Sequence, residues 1–217
     1  MSFTLLAGFL SFASARGDTY SVTTVGDSGP GSLRQAITDA NAHPNSSSTN
    51  PDAIVFNIPG TGVHTITPSS ALPSITDPVR IDGYTQPGSK ANTLAIGDDA
   101  KLVIELNGMS AGANASGLTL ASGSTGSLVR GLVINRFGGS GVSTTSSDTH
   151  TIAGCFIGTD TTGTTALGNL RGVTFGSVTT DLGQNLAGGT PPADRNVISG
   201  NQSDGLLLGF LAGSGGF

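Results

Sequence analysis

VRGLVINRFGGSGV, residues 129–142, contains the unit that the rest of the chain repeats. A short aliphatic run (Leu132, Val133, Ile134) leads to Asn135, then to a Gly-rich corner, then to a second run opening at Gly141. Looser versions stand on either side: VRIDG (79–83), VIELNG (103–108), GLTL (117–120), HTIAGCFIG (150–158) and RNVISGNQSDGLLLG (195–209). Gly83 and Gly108 lie 25 residues apart, and Gly131 and Gly154 lie 23 apart. Longer gaps follow, with apparent insertions TDTTGTTALGN (159–169) and GGTPPAD (188–194).

A period in the low twenties, carried by strands without helices, is the signature of a solenoid. Leucine-rich repeats share that length, but their leucine ladder with a fixed asparagine is absent. The expected fold class is all-β: a right-handed parallel β-helix whose coils each need short strands, flexible corners and one inward apolar row. Aligned on glycine, the repeats place Arg80 over Glu105 and Asp82 over Asn107, roughly under Asn135. The same alignment piles Ile81, Leu106 and Ile134 into one buried column.

Composition agrees with this reading. Gly is 34 of 217 residues, roughly twice ordinary usage, and charged residues are only 11%. The 36% of hydrophobic residues, grouped in short runs, supply the core that a disordered chain lacks. The glycines then serve as corners between strands. A net charge of -5 argues against nucleic acid, which needs a basic stripe. A lone cysteine, Cys155, excludes an internal disulfide and sits in an apolar run, as a buried inert thiol does.

No stretch reaches the roughly 18 apolar residues of a transmembrane helix. The N-terminal FTLLAGFLSFASA (3–15) ends in an A-x-A cleavage pattern, although the basic region of a signal peptide is missing. The expected organisation is therefore a signal peptide over 1–15 and a single domain over 16–217, secreted or held at the cell surface. DTYSVTTV (18–25) reads as a strand and GDSGPG (26–31) as a turn. The one convincing helix is SLRQAITDANA (32–42), with Ser32 and Gln35 spaced as a capping box. Leu33, Ala36, Ile37 and Ala40 make its apolar face, and His43-Pro44 stops it. This helix is placed to cover the open end of a stack, whose bare edge would otherwise invite association. The C-terminal GLLLGFLAGSGGF (205–217) has no such cover, which fits a longer parent chain or end-to-end self-association.

At the helix the sequence also meets a family. GSLRQAI (31–37), DAIVFNIPG (52–60), ITDPVRIDGYTQPG (75–88), VIELNG (103–108), FIGTDTTGTTALGN (156–169) and RNVISGN (195–201) together resemble the bacterial CSLREA-type right-handed β-helix repeat proteins. Glycine stands here where the family name has cysteine, and Gln35 stands for its glutamate. The resemblance implies export and the pectate-lyase-like architecture shared by polysaccharide lyases, polygalacturonases and adhesins. It implies no activity, because fold alone licenses none.

Three functions follow as expectations. The first is a module that binds a polysaccharide or another cell-envelope component along a sheet face, with Arg136, Arg171 and Tyr84 as contacts. Phe137, Phe156 and Phe175 are further stacking candidates. The second is a polysaccharide lyase or glycosidase, for which Asp148, His150 and Asp160 with a nearby arginine form the best acidic group. Asp148 and His150 are two apart and would face the same way on a strand. The third is a serine esterase or lactonase. GMSAG (108–112) matches G-x-S-x-G, and Ser110, Asp148 and His150 follow the chain order of a hydrolase triad. The elbow needs a helix after its turn, and the AGANASG that follows is a poor helix former. No cofactor is firmly indicated. Asp160 in DTTGT (160–164) offers one carboxylate for a calcium ion.

Overall fold

A computed structural model describes residues 17–45, 50–145, 149–177 and 184–210. The signal-peptide assignment, Asp148 and the last seven residues of the apolar C-terminus lie outside them. In chain order the elements are β1 (Thr19–Val22), α1 (Leu33–Ala42), β2 (Asp52–Phe56), β3 (His64–Ile66), β4 (Val79–Asp82), β5 (Ile104–Asn107), β6 (Leu118–Leu120) and β7 (Leu128–Arg130). They continue with β8 (Val133–Asn135), β9 (Ser140–Thr144), β10 (Thr151–Ala153), β11 (Phe156–Ile157), β12 (Arg171–Ser177), β13 (Leu186–Ala187), β14 (Val197–Ile198) and β15 (Leu206–Phe210). The described chain is thus mostly strand with a single α-helix.

The strands form three sheets, with orders β1-β2-β4-β7-β10-β13, β14-β11-β8-β5-β3 and β15-β12-β9-β6. Every strand pairing is parallel. From β4 onward the chain visits the first, second and third sheets in fixed rotation, one strand in each.

Side chains alternate across each strand, and parallel register stacks the inward ones. In the first sheet Ile54, Ile81, Val129 and Ile152 follow one another as register partners. In the second the row is Ile66, Leu106, Ile134, Ile157 and Ile198. In the third, Leu118, Val142, Val173 and Leu206 line up. All but the terminal Ile198 and Leu206 belong to one buried cluster, and Ile198 packs against it.

The register corrects one expectation. Leu106 lies beside Ile134, and Asn107 beside Asn135, as the glycine alignment requires. Ile81 is in a different sheet, next to Ile54 and Val129. Segments 79–83 and 103–108 look like successive repeats but occupy successive sheets of the same circuit, joined by the long connection 83–103. Arg80 therefore does not pair with Glu105. It bonds Asp82 at 3.0 Å, while the Glu105 carboxylate accepts from Thr65 Oγ1 at 2.7 Å and Asn135 Nδ2 at 2.8 Å.

Connection 83–103 has its own apolar underside. Leu102 packs with Val133 and Phe156 in a second small core, joined by Tyr84, Ala100 and Val197. Arg195 fastens the same connection by donating to the carbonyls of Leu94, Ala95 and Gly97.

The helix begins as its sequence predicts: Ser32 Oγ accepts from the Gln35 N–H at 3.1 Å. Only half of the capping box forms. The Gln35 side chain turns forward to Asp39, and the Ser32 N–H bonds the Gly29 carbonyl instead. Leu33, Ala36, Ile37 and Ala40 are the buried face. Arg34 donates to the carbonyls of Ser70 and Ala71, and Asn41 donates to that of Ser74 at 2.8 Å. These bonds tie the helix across the segment preceding β4, at the end of the first sheet where β1 and β2 lie.

Two measurements test this packing. Ile134 is fully buried, so Ile134→Ala should cost about 2–5 kcal/mol in chemical denaturation; a loss below about 1 kcal/mol would contradict the stacked interior. Asp52 is 2% exposed, and one of its carboxylate oxygens is buried without a partner. Burial raises its pKa above the ordinary value. A raised carboxylate binds protons more readily folded than unfolded, so stability should fall as pH rises above about 4 through the folded pKa. Asp52→Asn should remove that part of the pH dependence; an unchanged stability profile would refute the assignment.

Candidate functional site

The outward side of the first sheet carries two rows of side chains. One row runs Thr19, Ala53, Arg80, Leu128, Thr151 and Leu186, and the other runs Ser21, Val55, Asp82, Arg130 and Ala153. Strand alternation points these residues away from the interior, because Ile54, Ile81, Val129 and Ile152 between them are buried.

At the centre of the face Asp82 holds two guanidinium groups. Its Oδ2 accepts from Arg130 NH2 at 2.6 Å and from Arg80 NH2 at 3.0 Å, while its Oδ1 accepts from the Tyr84 N–H at 3.2 Å. The carboxylate side chain is only 6% exposed, against 44% for Arg80 and 33% for Arg130. Arg130 also lies 5.9 Å from the Tyr84 ring centroid, within cation–π range. Two cations share one carboxylate, so one positive charge is in excess. Arg130 Nε is buried and has no hydrogen-bond partner.

Tyr84 is fixed by glycines of later strands. Its hydroxyl donates to the Gly154 carbonyl at 2.8 Å. A Cβ added to Gly131 would meet the Tyr84 ring at 2.9 Å, and one added to Gly154 would meet the hydroxyl at 2.4 Å. The 23-residue glycine spacing therefore marks a column over which the tyrosine ring lies. Burial holds the phenol well above its usual range, so it stays protonated and donating.

The residues anticipated for chemistry stand on different elements. Ser110 is exposed and closes a single 3-10 turn, Gly108–Ser110, after β5. No α-helix follows it, so the nucleophile elbow is not formed. His150 is fully buried just before β10, with its backbone N–H bonded to Asn185 Oδ1 at 3.0 Å. Asp160 Oδ1 accepts from Thr162 Oγ1 at 2.7 Å and from the N–H groups of Thr162, Thr164 and Thr165. Led by the Thr162 bond, these donors hold its pKa at about 2. An oxygen surrounded by N–H and O–H groups is arranged for its own turn rather than for a cation. Among the described residues no group of three or more His, Cys, Asp or Glu is placed to hold a metal ion.

Arg136, after β8, approaches Glu105 at 3.9 Å, and Arg171, in β12, pairs with Asp204 at 3.3 Å. Arg136 follows a strand of the second sheet, Arg171 opens a strand of the third, and Tyr84 lies in the 3-10 turn after a strand of the first. Phe137, Phe156 and Phe175 are buried and offer no stacking surface. Cys155 is fully buried, and burial pushes its thiol up to about 12, so it is inert at neutral pH. No helix among the described residues is long and apolar enough to cross a membrane.

Sequence reasoning missed Arg80 and Arg130 as a pair. They are 50 residues apart, and only the β4–β7 register brings Arg130 beside Asp82. It also missed the corner asparagines Asn169 and Asn201. Asn169 accepts from the Phe137 N–H at 3.0 Å and donates to the Ile134 carbonyl at 3.1 Å. Asn201 Oδ1 in turn accepts from Asn169 Nδ2 at 3.1 Å. The repeated Gly-Asn dipeptides at 168–169 and 200–201 were the available signal.

Gly131→Ala tests the tyrosine column. Gly131 has φ +71°, and the added methyl would strike the Tyr84 backbone and ring below 3 Å. The variant should lose about 2–3 kcal/mol, summing backbone strain and the displaced ring. Full retention of stability in thermal unfolding would show that Tyr84 does not lie there.

No model of a known protein family matches the chain, and no curated protein sequence matches it.

Proposed function

We propose that this chain is an exported, right-handed parallel β-helix module of the CSLREA type that binds a glycan of the cell envelope or surroundings along the outer face of its first sheet. Three parallel sheets visited in rotation, with aliphatic rows stacked inside, support the fold. A helix tied over the end where β1 and β2 lie supports the capped-stack reading.

The observation that carries the binding function is the outward face of the six-stranded sheet. Strands spaced about 4.8 Å apart give it a length of about 24 Å. That is the reach of several sugar units in an extended chain. Hydroxyls of Thr19, Ser21 and Thr151 lie on it with the guanidinium groups of Arg80 and Arg130. Polar donors in line on a rigid surface recognise an extended polar polymer without a deep cavity. Ser110 closes a 3-10 turn with no α-helix directly behind it, and Asp160 Oδ1 is engaged by its own loop, so neither residue lends support to a catalytic alternative.

Co-sedimentation with a panel of insoluble polysaccharides checks the proposal. The chain should pellet with at least one of them and release neither reducing ends nor unsaturated products absorbing in the ultraviolet. Failure to bind any member of the panel would overturn the glycan reading, and product release would replace binding with catalysis.

A further inference from the structure

The geometry points to an oxyanion-binding site formed by Arg80 and Arg130, so that the glycan recognised on this face is an acidic one carrying carboxylate or sulfate groups. This inference rests on the glycan-binding reading and narrows it.

Three features of the cluster carry it. First, Asp82 takes three donors, from Arg80, Arg130 and Tyr84. It is the one ion-pair partner of both guanidinium groups among the described residues, so two cations share a single carboxylate. Second, each guanidinium keeps part of its surface in solvent, with the Arg80 side chain 44% and the Arg130 side chain 33% exposed, so an oxyanion arriving from outside can lie against both. Third, the arginines are pre-positioned. Asp82 and the Tyr84 ring hold Arg130, and Asp82 holds Arg80, so little side-chain entropy remains to be lost on binding.

The ligand class follows from the chemistry of the fork. Planar guanidinium groups pair with carboxylate and sulfate oxygens through parallel N–H donors, which a neutral hydroxyl cannot match. The chain as a whole is acidic, at -5, and repels a polyanion at long range. Recognition must therefore be local. It differs in this from nucleic-acid binding, which needs a basic stripe that the chain lacks.

The test reads the Arg130 side chain directly. In the intact chain, the side-chain Nε–H resonance of Arg130 is followed by NMR during titration with oligoglucuronate, sulfated dextran oligomers and neutral glucose oligomers. A shift with either acidic oligomer and none with the neutral one is expected; the two acidic arms distinguish carboxylate from sulfate. Arg80→Gln, at a position 44% exposed, should keep the fold and weaken acidic-oligomer binding about tenfold. Arg130→Lys keeps the charge without the fork and should weaken it similarly. If neutral and acidic oligomers bind equally, or Arg80→Gln and Arg130→Lys bind like the parent, the oxyanion site is refuted and glycan binding stands. If no oligomer and no insoluble polysaccharide binds, both ideas fall.

Discussion

Parallel pairing in register is the constraint on which the rest of this structure depends. Once β7 lies on β4 and β10 on β7, whatever stands at one level is repeated at the next, a strand spacing away. Aliphatic residues meet aliphatic residues inside, and the same rule governs the corners. Where backbones converge there is no room for a Cβ: one added to Gly83 would lie 2.1 Å from the Gly131 carbonyl oxygen. Where a corner leaves polar backbone groups inside, an amide side chain satisfies them, as Asn196 does for the Cys155 N–H at 2.9 Å and the Ile152 carbonyl at 2.8 Å. Glycine and asparagine are therefore consequences of stacking rather than markers of flexibility.

This explains which parts of the fold were legible. Local signals were read correctly: the Ser32 cap, the buried helix stripe, and the Leu132–Ile134 run placed against Gly154–Ile157. That last match held because no insertion interrupts the interval between Gly131 and Gly154. The glycine alignment failed across residues 83–103, where an inserted connection happens to be nearly one period long. Periodicity cannot separate such an insertion from a repeat, because both return an apolar run ending in Asp-Gly or Asn-Gly. What distinguishes them is the long-range pairing of Arg80 with Leu128, which has no local trace. The candidate site was hidden for the same reason. Arginine was suspected, but the residues chosen, Arg136 and Arg171, were those expected to come near Asp148, His150 and Asp160 from the next repeat. The cluster that forms depends on strands far apart in the chain.

The three outward faces are not equivalent, and the difference comes from the connections. The second sheet is covered where 83–103 folds across it, since Leu102 buries Val133 and Phe156 from outside. The third sheet presents Thr119, Ser143 and Thr174 in one row, followed by Leu207, a neutral strip. The first sheet carries its charged side chains, Arg80, Asp82 and Arg130, at the middle of its outward face, whereas the third has Arg171 at the start of β12, paired with Asp204. Arg195, by clasping the carbonyls of Leu94 and Gly97, keeps the connection on the second sheet.

A purely structural account of the Arg80–Asp82–Arg130 group meets an energetic difficulty. A nearly buried carboxylate needs one well-placed cation to offset its desolvation, and Arg130 at 2.6 Å supplies it. The second guanidinium adds little further to Asp82, because an ion pair with one partner 44% exposed is worth at most about 1 kcal/mol. It does bring a second like charge beside the first, a repulsion that an oxyanion approaching from solvent would relieve. Neutral pairs suffice elsewhere in this molecule: Arg34 with Asp27, Lys90 with Asp99 and Arg171 with Asp204 are each one cation to one anion. A second cation held beside the first at the middle of an outward sheet face is more economically explained by what it meets there than by what it holds together.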